Sequence, residues 1–423
     1  MTKKIKKRIL FMSENVTLSH VIRPLQIAES LSADEYEIHF AITHIPELLQ
    51  ERLSRFNLHK IDFGVSSKDL LDAIAKGKHP YSFDVLDTYV KEDCRIIKNV
   101  KPSVVVGDMR LSLHVSSKLC DVPYINISNS TWDSSSNLPV LVPETPIVKL
   151  FGLFLSRNIF GVIKPLVMRI LARPFNKIAK KYGVDPYGSY FDVITSGDYT
   201  IYCDLKSLVK INKIRKKNVE VGALLYSMEE KSMEKFALPP KNKKRVVLSL
   251  GSSGPSRYLQ NFIDVLAELD IELVVATLGQ KVDLPKNENV LIYDYLPMTR
   301  ATQGADLIIF NGGSGNGYLG LANGAPLLCI PLNIDQHNFS YAMERKGVAK
   351  IMRSDKIDVQ ALKRMVSSML VDSELKLNAL KLSQEILQEN PVKEIQKLIS
   401  KVSEEKPIRA LPLDLGKRTP HLL

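Results

Sequence analysis

Two stretches of this chain, far apart, open in the same way. Lys6-Lys7-Arg8 runs into Ile9-Leu10-Phe11-Met12, and Lys243-Lys244-Arg245 runs into Val246-Val247-Leu248-Ser249-Leu250. Each apolar run ends in a small or polar loop, Ser13 to Ser19 in the first case and Gly251 to Ser256 in the second. Helical periodicity then follows, through Leu25, Ile27, Ala28 and Leu31 in one and Phe262, Ile263, Leu266 and Leu269 in the other. A buried strand, a loop and a helix, begun twice, constrain the chain to two α/β units in tandem. Its 423 residues agree, being too many for one core and enough for two domains of about 200 residues each.

Further apolar runs alternate with helical segments: Glu37 to Ile42, Ser103 to Gly107 and Tyr124 to Ile127, then Ile271 to Ala276, Val290 to Tyr293, Leu307 to Phe310 and Leu327 to Ile330. Continuous Val/Ile/Leu strands between helices indicate parallel sheets covered on both faces. The expected fold class is therefore α/β, with two tandem Rossmann-like domains facing a central cleft. Residues 1–225 form the first domain and 245–385 the second, with a linker over 226–244 and a C-terminal helix and tail over 386–423. The stretch from Lys213 to Lys244 is mostly charged, has Pro239-Pro240 near its end, and reads as the connection. From Glu374 to Lys401 the pattern is helical with a break at Pro391. Ligands of such sheets sit at the carboxyl ends of the strands, so the cleft is the expected site.

Lys and Arg number 58 against 46 Asp and Glu, a net charge of +12 that favours anionic partners. The basic clusters lack interleaved aromatic residues and no nucleic-acid-binding signature accompanies them, so nucleic acid is not expected as a partner. Cys94, Cys120, Cys203 and Cys329 are scattered without a Cys-x-x-Cys pair, against a disulfide framework or a zinc site. There is no Asp-x-Asp triplet and no histidine cluster, and neither a metal nor a cofactor is expected. The run Ile9 to Met12 is too short for the apolar core of a signal peptide, which implies a cytoplasmic protein.

Residues 147–172 are strongly apolar but carry Lys149, Arg157, Lys164 and Arg169, leaving no uncharged run near the ~20 residues that a membrane span needs. Two readings stay open: helices packed on the first domain, or a basic amphipathic surface that touches lipid, peripheral on the inner face of the membrane.

The densest chemical signal runs from Asp306 to Gln336. A strand, Leu-Ile-Ile-Phe, leads into Asn311-Gly312-Gly313-Ser314-Gly315-Asn316 and then a helix start. Glycine lets the backbone approach an anion closely, and the free N–H groups at a helix N-terminus can then hold a phosphate. Gly312-Gly313-Ser314-Gly315, Gly324-Ala325-Pro326, Pro331, Asp335-Gln336, Asn338 and Gly347 resemble the nucleotide-sugar signature of family 1 glycosyltransferases, the GT-B enzymes that use UDP- or dTDP-sugars. The resemblance extends to Lys6 through Leu31 and Val246 through Gly254, and so to both domains. Thr17-Leu-Ser-His20-Val-Ile-Arg-Pro24 and Gly107-Asp-Met-Arg110-Leu-Ser-Leu113 are similar to segments of bacterial members.

The resemblance implies an inverting transferase, with an acceptor on the first domain and a nucleotide-sugar on the second. His20 falls where the family has its general base and Asp108 where it has the carboxylate that orients the base. Imidazole titrates near neutral pH, and a carboxylate on one ring nitrogen fixes the tautomer and stabilises the imidazolium. Gly251, Ser252 and Ser253 match the loop that meets the diphosphate, the Asn311 to Asn316 turn matches the phosphate site, Asp335 and Gln336 match the pair on the sugar hydroxyls, and Tyr295 matches an aromatic residue that stacks on the base. Three positions depart from the pattern: Asn311 replaces a histidine on the phosphate, Leu319 a glutamate on the ribose, and Met298 a glutamine on the base. Exchanging a charged hydrogen bond for a neutral one at Asn311 costs on the order of tenfold in donor affinity. The apolar area of Leu150-Phe-Gly-Leu-Phe-Leu155 and Ile159-Phe-Gly-Val-Ile163 favours a lipophilic acceptor. Two alternatives stand beside this reading: a catalytically inactive GT-B-like protein that binds a ligand or partner, and a sugar-nucleotide epimerase.

Overall fold

The computed structural model describes residues 5–14, 17–62, 79, 81–143, 146–212, 217–226, 236–251 and 254–405. Its first domain is built on a seven-stranded sheet: β1 (Lys7–Ser13), β2 (Tyr36–Ile42), β3 (Asn57–Lys60), β4 (Val104–Asp108), β5 (Tyr124–Ser128), β6 (Tyr199–Tyr202) and β7 (Asn218–Glu220). The spatial order is β3-β2-β1-β4-β5-β6-β7 and every pairing is parallel. Helices α1 (Ser19–Ser30), α2 (Gln50–Leu53), α3 (Phe83–Val100), α4 (Leu113–Leu119), α5 (Pro146–Lys181) and α6 (Tyr190–Ile194) connect the strands.

The second domain has six parallel strands, β8 (Lys244–Ser249), β9 (Ile271–Ala276), β10 (Val290–Tyr293), β11 (Leu307–Phe310), β12 (Leu327–Cys329) and β13 (Ala349–Ile351), in the order β10-β9-β8-β11-β12-β13. Its helices are α7 (Leu259–Leu266), α8 (Met298–Ala301), α9 (Ser314–Ala322), α10 (Ile334–Arg345), α11 (Val359–Val371) and α12 (Ser373–Gln388), and α13 (Pro391–Val402) follows. Both sheets have an apolar core on each face, so their strands read as unbroken apolar runs; β1 has Ile9 and Phe11 in one cluster and Leu10 and Met12 in another.

Two features differ from the sequence reading. The charged stretch that opens at Lys213 is not all connection, because Asn218–Glu220 pairs with β6 and completes the first sheet. Three residues, none of them deeply buried, carry no apolar signature. The second feature is α13, whose Pro391 sits in its first turn behind an Asn390 cap. This helix returns to the first domain, where Ile395, Leu398, Ile399 and Val402 pack in the cluster of Val21, Ile22 and Leu25.

Beneath the carboxyl end of β1 lies a buried ionic cluster. Arg110 Nε donates to Asp93 Oδ1 at 3.0 Å and Nη1 to Glu14 Oε2 at 3.3 Å, while the guanidinium stacks on Tyr89 at 3.8 Å. Ser112 and Ser116 hydroxyls donate to the other Asp93 oxygen at 2.6 and 2.9 Å. Burial raises the Glu14 carboxyl above its usual range, against the opposing pull of Arg110. Arg110→Ala would leave two buried carboxylates without their cation, a loss of about 3–5 kcal/mol, read as a lower urea midpoint. Arg110→Met, which refills the volume, should lose as much, because the uncompensated charge and not the cavity dominates.

Candidate active site

In each sheet the connections reverse direction between two central strands, β1 and β4 in the first and β8 and β11 in the second. The carboxyl ends of these pairs are left open by the diverging crossovers. Register places Ser13 beside Asp108 at the first opening and Ser249 beside Phe310 at the second. His20, Asp108, Gly251 and the Asn311 to Asn316 turn lie at these ends, while Tyr295 follows β10 and Asp335 and Gln336 follow β12.

At the first opening, His20 stands in the first turn of α1 and Asp108 ends β4. His20 Nδ1 lies 2.8 Å from Asp108 Oδ1; the Asp108 side chain is fully buried and the imidazole is about one-fifth exposed. Arg23, one turn along α1 and buried, donates from Nε and Nη2 to the two Asp108 oxygens at 2.8 Å each. Its Nη1 donates to Asn129 Oδ1, also at 2.8 Å. A carboxylate that receives a bidentate guanidinium is an acceptor only, so the Nδ1 contact requires the proton on Nδ1. Nε2 is then left with its lone pair, the form a general base needs. Arg23 Nη2 is 3.3 Å from Nδ1, and as a second donor it makes no hydrogen bond in that tautomer.

At the second opening, the loops after β8 and β11 meet. Gly251 adopts φ +65°, and a Cβ there would come within 2.8 Å of Asn311 Nδ2; Gly254 is packed against the Asn311 Cβ in the same way. The Asn311 Oδ1 accepts from the Gly313 N–H at 3.2 Å, which ties the side chain across its own turn. Gly312 has φ +79° and no room for a side chain beside Ser340 of α10. Helix α9 begins at Ser314 without a side-chain cap and with no acidic residue in its first turn, so its N-terminal dipole is open to an anion. Ser252 and Ser253 lie outside the described residues. Tyr295 is about half exposed, as a stacking surface requires. Leu319 and Met298 are both buried in one apolar cluster of the second domain.

Gly315 has a second reason to be glycine. Tyr226, from the connecting segment, brings its hydroxyl so close that a Cβ on Gly315 would lie 2.1 Å from Oη. Tyr226 also packs in the first-domain cluster with Val21 and Ile22 of α1, and burial raises the pKa of its hydroxyl. Tyr226 thus joins the base side of the cleft to the N-terminus of α9.

Two further links cross the cleft. Trp132 Nε1 donates to Asp335 Oδ1 at 2.7 Å, fixing that carboxylate at the start of α10 with its pKa raised by burial. Tyr318 of α9 donates to Asp204 Oδ1 at 3.0 Å and accepts from the Leu205 N–H at 3.0 Å. Asp204 also receives Asn129 Nδ2 at 3.0 Å and the Ser130 N–H and hydroxyl at 2.7 and 2.9 Å. Asn129 therefore joins Arg23 to Asp204, and a continuous polar chain runs from His20 to α9. Gln336, adjacent to Asp335, is buried, and its Oε1 accepts from the Leu332 N–H at 2.8 Å and, in the capping box of α10, from the Asn333 N–H at 3.4 Å.

Sequence reasoning missed Arg23, Trp132, Asp204, Tyr226 and Tyr318. Arg23 had a signal, three residues beyond His20 on the same helix face. The others come from loops, a strand end and, for Tyr318, helix α9, whose proximity only the fold creates.

The family described as erythromycin biosynthesis protein CIII-like, C-terminal domain, matches residues 260–402. A "PGL/p-HBAD biosynthesis glycosyltransferase" of Mycobacterium tuberculosis is 32% identical over 380 residues, 90% of this chain and 88% of that protein. Among solved structures, the "glycotransferase of kitacinnamycin" superposes with a TM-score of 0.71 at 17% identity, covering 94% of this chain and 99% of the other. The glycosyltransferase VinC, solved with dTDP, gives a TM-score of 0.63 at 15% identity over 94% and 99% of the two chains. These likenesses identify the two-domain arrangement as the GT-B fold.

The Tyr318 hydroxyl joins the domains through Asp204. Tyr318→Phe would leave the buried Leu205 N–H unpaired and remove one donor from Asp204, costing about 1–3 kcal/mol. Chemical denaturation should show the loss, and a stability within a few tenths of the parent would mean that this link carries nothing.

Proposed function

The chain belongs to the family 1 glycosyltransferases of the GT-B fold, and we propose that it is an inverting enzyme that moves a hexose from a UDP- or dTDP-sugar to a hydroxyl of a lipophilic small molecule or lipid. The observation that carries this reading is the His20–Asp108 contact of 2.8 Å, with Asp108 locked by Arg23, opposite the open N-terminus of α9.

In the proposed reaction, His20 Nε2 takes the proton of the acceptor hydroxyl as the oxygen attacks the anomeric carbon. The bond from that carbon to the diphosphate oxygen breaks on the opposite face, and the diphosphate departs with the electron pair. Asp108, already accepting from Nδ1, balances the imidazolium that forms. The α9 N-terminus and the loop at Gly251 meet the charge on the diphosphate with backbone donors that are in place before reaction, so the step needs no metal. Asp335 holds a sugar hydroxyl, and Tyr295 offers its ring to the base. Gln336 acts in this reading by capping α10 and so aiming Asp335. Such a chemistry suits a cytoplasmic enzyme, and a lipid acceptor would bring it to the inner face of the membrane.

His20→Ala should lower the transfer rate by about 10²–10⁴ while leaving nucleotide affinity within twofold. Activity equal to the parent in that variant would refute the base assignment.

One observation favours a second reading, a binding protein without turnover. Leu319 is buried in the core of the second domain, so that position offers no carboxylate to a ribose. Calorimetric titration with UDP, dTDP and GDP separates the two. Selective binding of UDP or dTDP, followed by turnover of the matching sugar nucleotide with an acceptor, supports the transferase. Absence of binding from folded protein supports the second reading.

A further inference from the structure

Helix α5 leaves an unusual face uncovered. It is broken at Gly152, where φ +72° and ψ 169° turn the chain, and its last turns pack on the first domain. Ser156, Ala172, Phe175, Ile178 and Ala179 are turned inward and buried, the last four in one cluster with Tyr89, Leu111 and Val193. The helix is long and apolar enough by composition to cross a bilayer, and its core contacts are gathered in the last turns, from Ala172 to Ala179, which tie that end to the first domain. The opposite face is bare: Leu150, Phe154, Val162 and Leu166 are 75%, 81%, 82% and 58% exposed.

Charge decides what covers it. Pro146–Lys181 contains eight Lys and Arg and no Asp or Glu. Among the described residues no carboxylate pairs with Arg157, Arg169, Arg173 or Lys177, all of them exposed. An apolar face whose outward charges are all cationic suits the boundary between acyl chains and anionic headgroups, where the apolar side chains enter the lipid and the cations meet phosphate. We propose that α5 is an in-plane docking face for an anionic lipid bilayer and that the acceptor reaches the cleft from that surface. The delivery half of this statement rests on the transferase reading above; the docking half does not.

The path from the helix inward is short and aromatic. Lys164 Nζ lies 5.2 Å over the Phe191 ring, Phe191 stands 6.2 Å from Trp132, and Trp132 Nε1 bonds Asp335 in the cleft. An acceptor with an apolar body leaving the bilayer beside α5 would meet Phe191 and Trp132 before it reached His20.

The test is co-sedimentation of the full chain with vesicles of phosphatidylcholine alone and of phosphatidylcholine mixed with phosphatidylglycerol. Retention is expected on the mixed vesicles and should weaken with salt. Each cation removed near the surface costs about fivefold, so the triple change Arg157→Gln, Arg169→Gln and Arg173→Gln should weaken retention about a hundredfold. Phe154→Ser with Val162→Ser should also release the protein, and both sites are exposed, so folding should be preserved. Equal retention on neutral vesicles, retention unmoved by either variant, or no retention of folded protein would each overturn the proposal. Titration of the same sample with UDP and dTDP keeps the failures apart: nucleotide binding without vesicle retention defeats the docking face alone, and vesicle retention without nucleotide binding defeats the transferase reading alone.

Discussion

A parallel sheet must be wound with crossovers, and where the winding changes direction two neighbouring strand ends are left uncovered. This constraint organises the whole molecule. Between β1 and β4 it exposes the backbone that carries Ser13 and Asp108, and between β8 and β11 the backbone that carries Ser249 and Phe310. Helix α1 begins just past the first opening and α9 just past the second, so the base and the phosphate turn face the cleft for the same topological reason. Two such units placed mouth to mouth make a cleft with different chemistry on each wall. What remains is to hold the walls in register, which falls to Trp132 with Asp335, Tyr318 with Asp204, and Tyr226 against Gly315.

The central strands were legible because they are buried on both faces. Ile271 to Ala276 and Leu307 to Phe310 read from the sequence with the bounds that the structure has, and so does Val290 to Tyr293, an edge strand that is only half-buried but wholly apolar apart from its tyrosine hydroxyl. The strands that escaped notice lie at or beside the edges, where that signal fades. Asn57–Lys60 is largely exposed, Asn218–Glu220 and Ala349–Ile351 have three residues each, and Tyr199–Tyr202 has only four. The destination of α13 was likewise hidden. Its amphipathic pattern announces a buried face, but nothing local states that the face belongs to the other domain.

In the site, the readable residues were those with a motif around them. His20, Asp108 and the glycines of the Asn311 to Asn316 turn stand at fixed places in a strand-loop-helix order, and the fold brings them to the cleft. Arg23, Asp204 and Tyr226 have no such frame. Their importance comes from what they touch: Arg23 covers both oxygens of Asp108, Asp204 accepts from Asn129, Ser130 and Tyr318, and Tyr226 fills the space over Gly315. Each contact joins segments distant in sequence, and a one-dimensional pattern does not contain it.

Arg23 also changes how charge must be counted in the cleft. An isolated His–Asp pair becomes neutral when the imidazole gains a proton. Here the Asp108 charge is already shared with a guanidinium on both of its oxygens, so a protonated His20 would leave the trio with one net positive charge. Asp335 is a carboxylate on the opposite wall of the cleft, and burial raises its pKa. Its position depends on Trp132, the first-domain residue that bonds it. The base is tied to both domains by a chain of hydrogen bonds that starts at His20 and runs through Asp108, Arg23, Asn129 and Asp204 of the first to Tyr318 of the second.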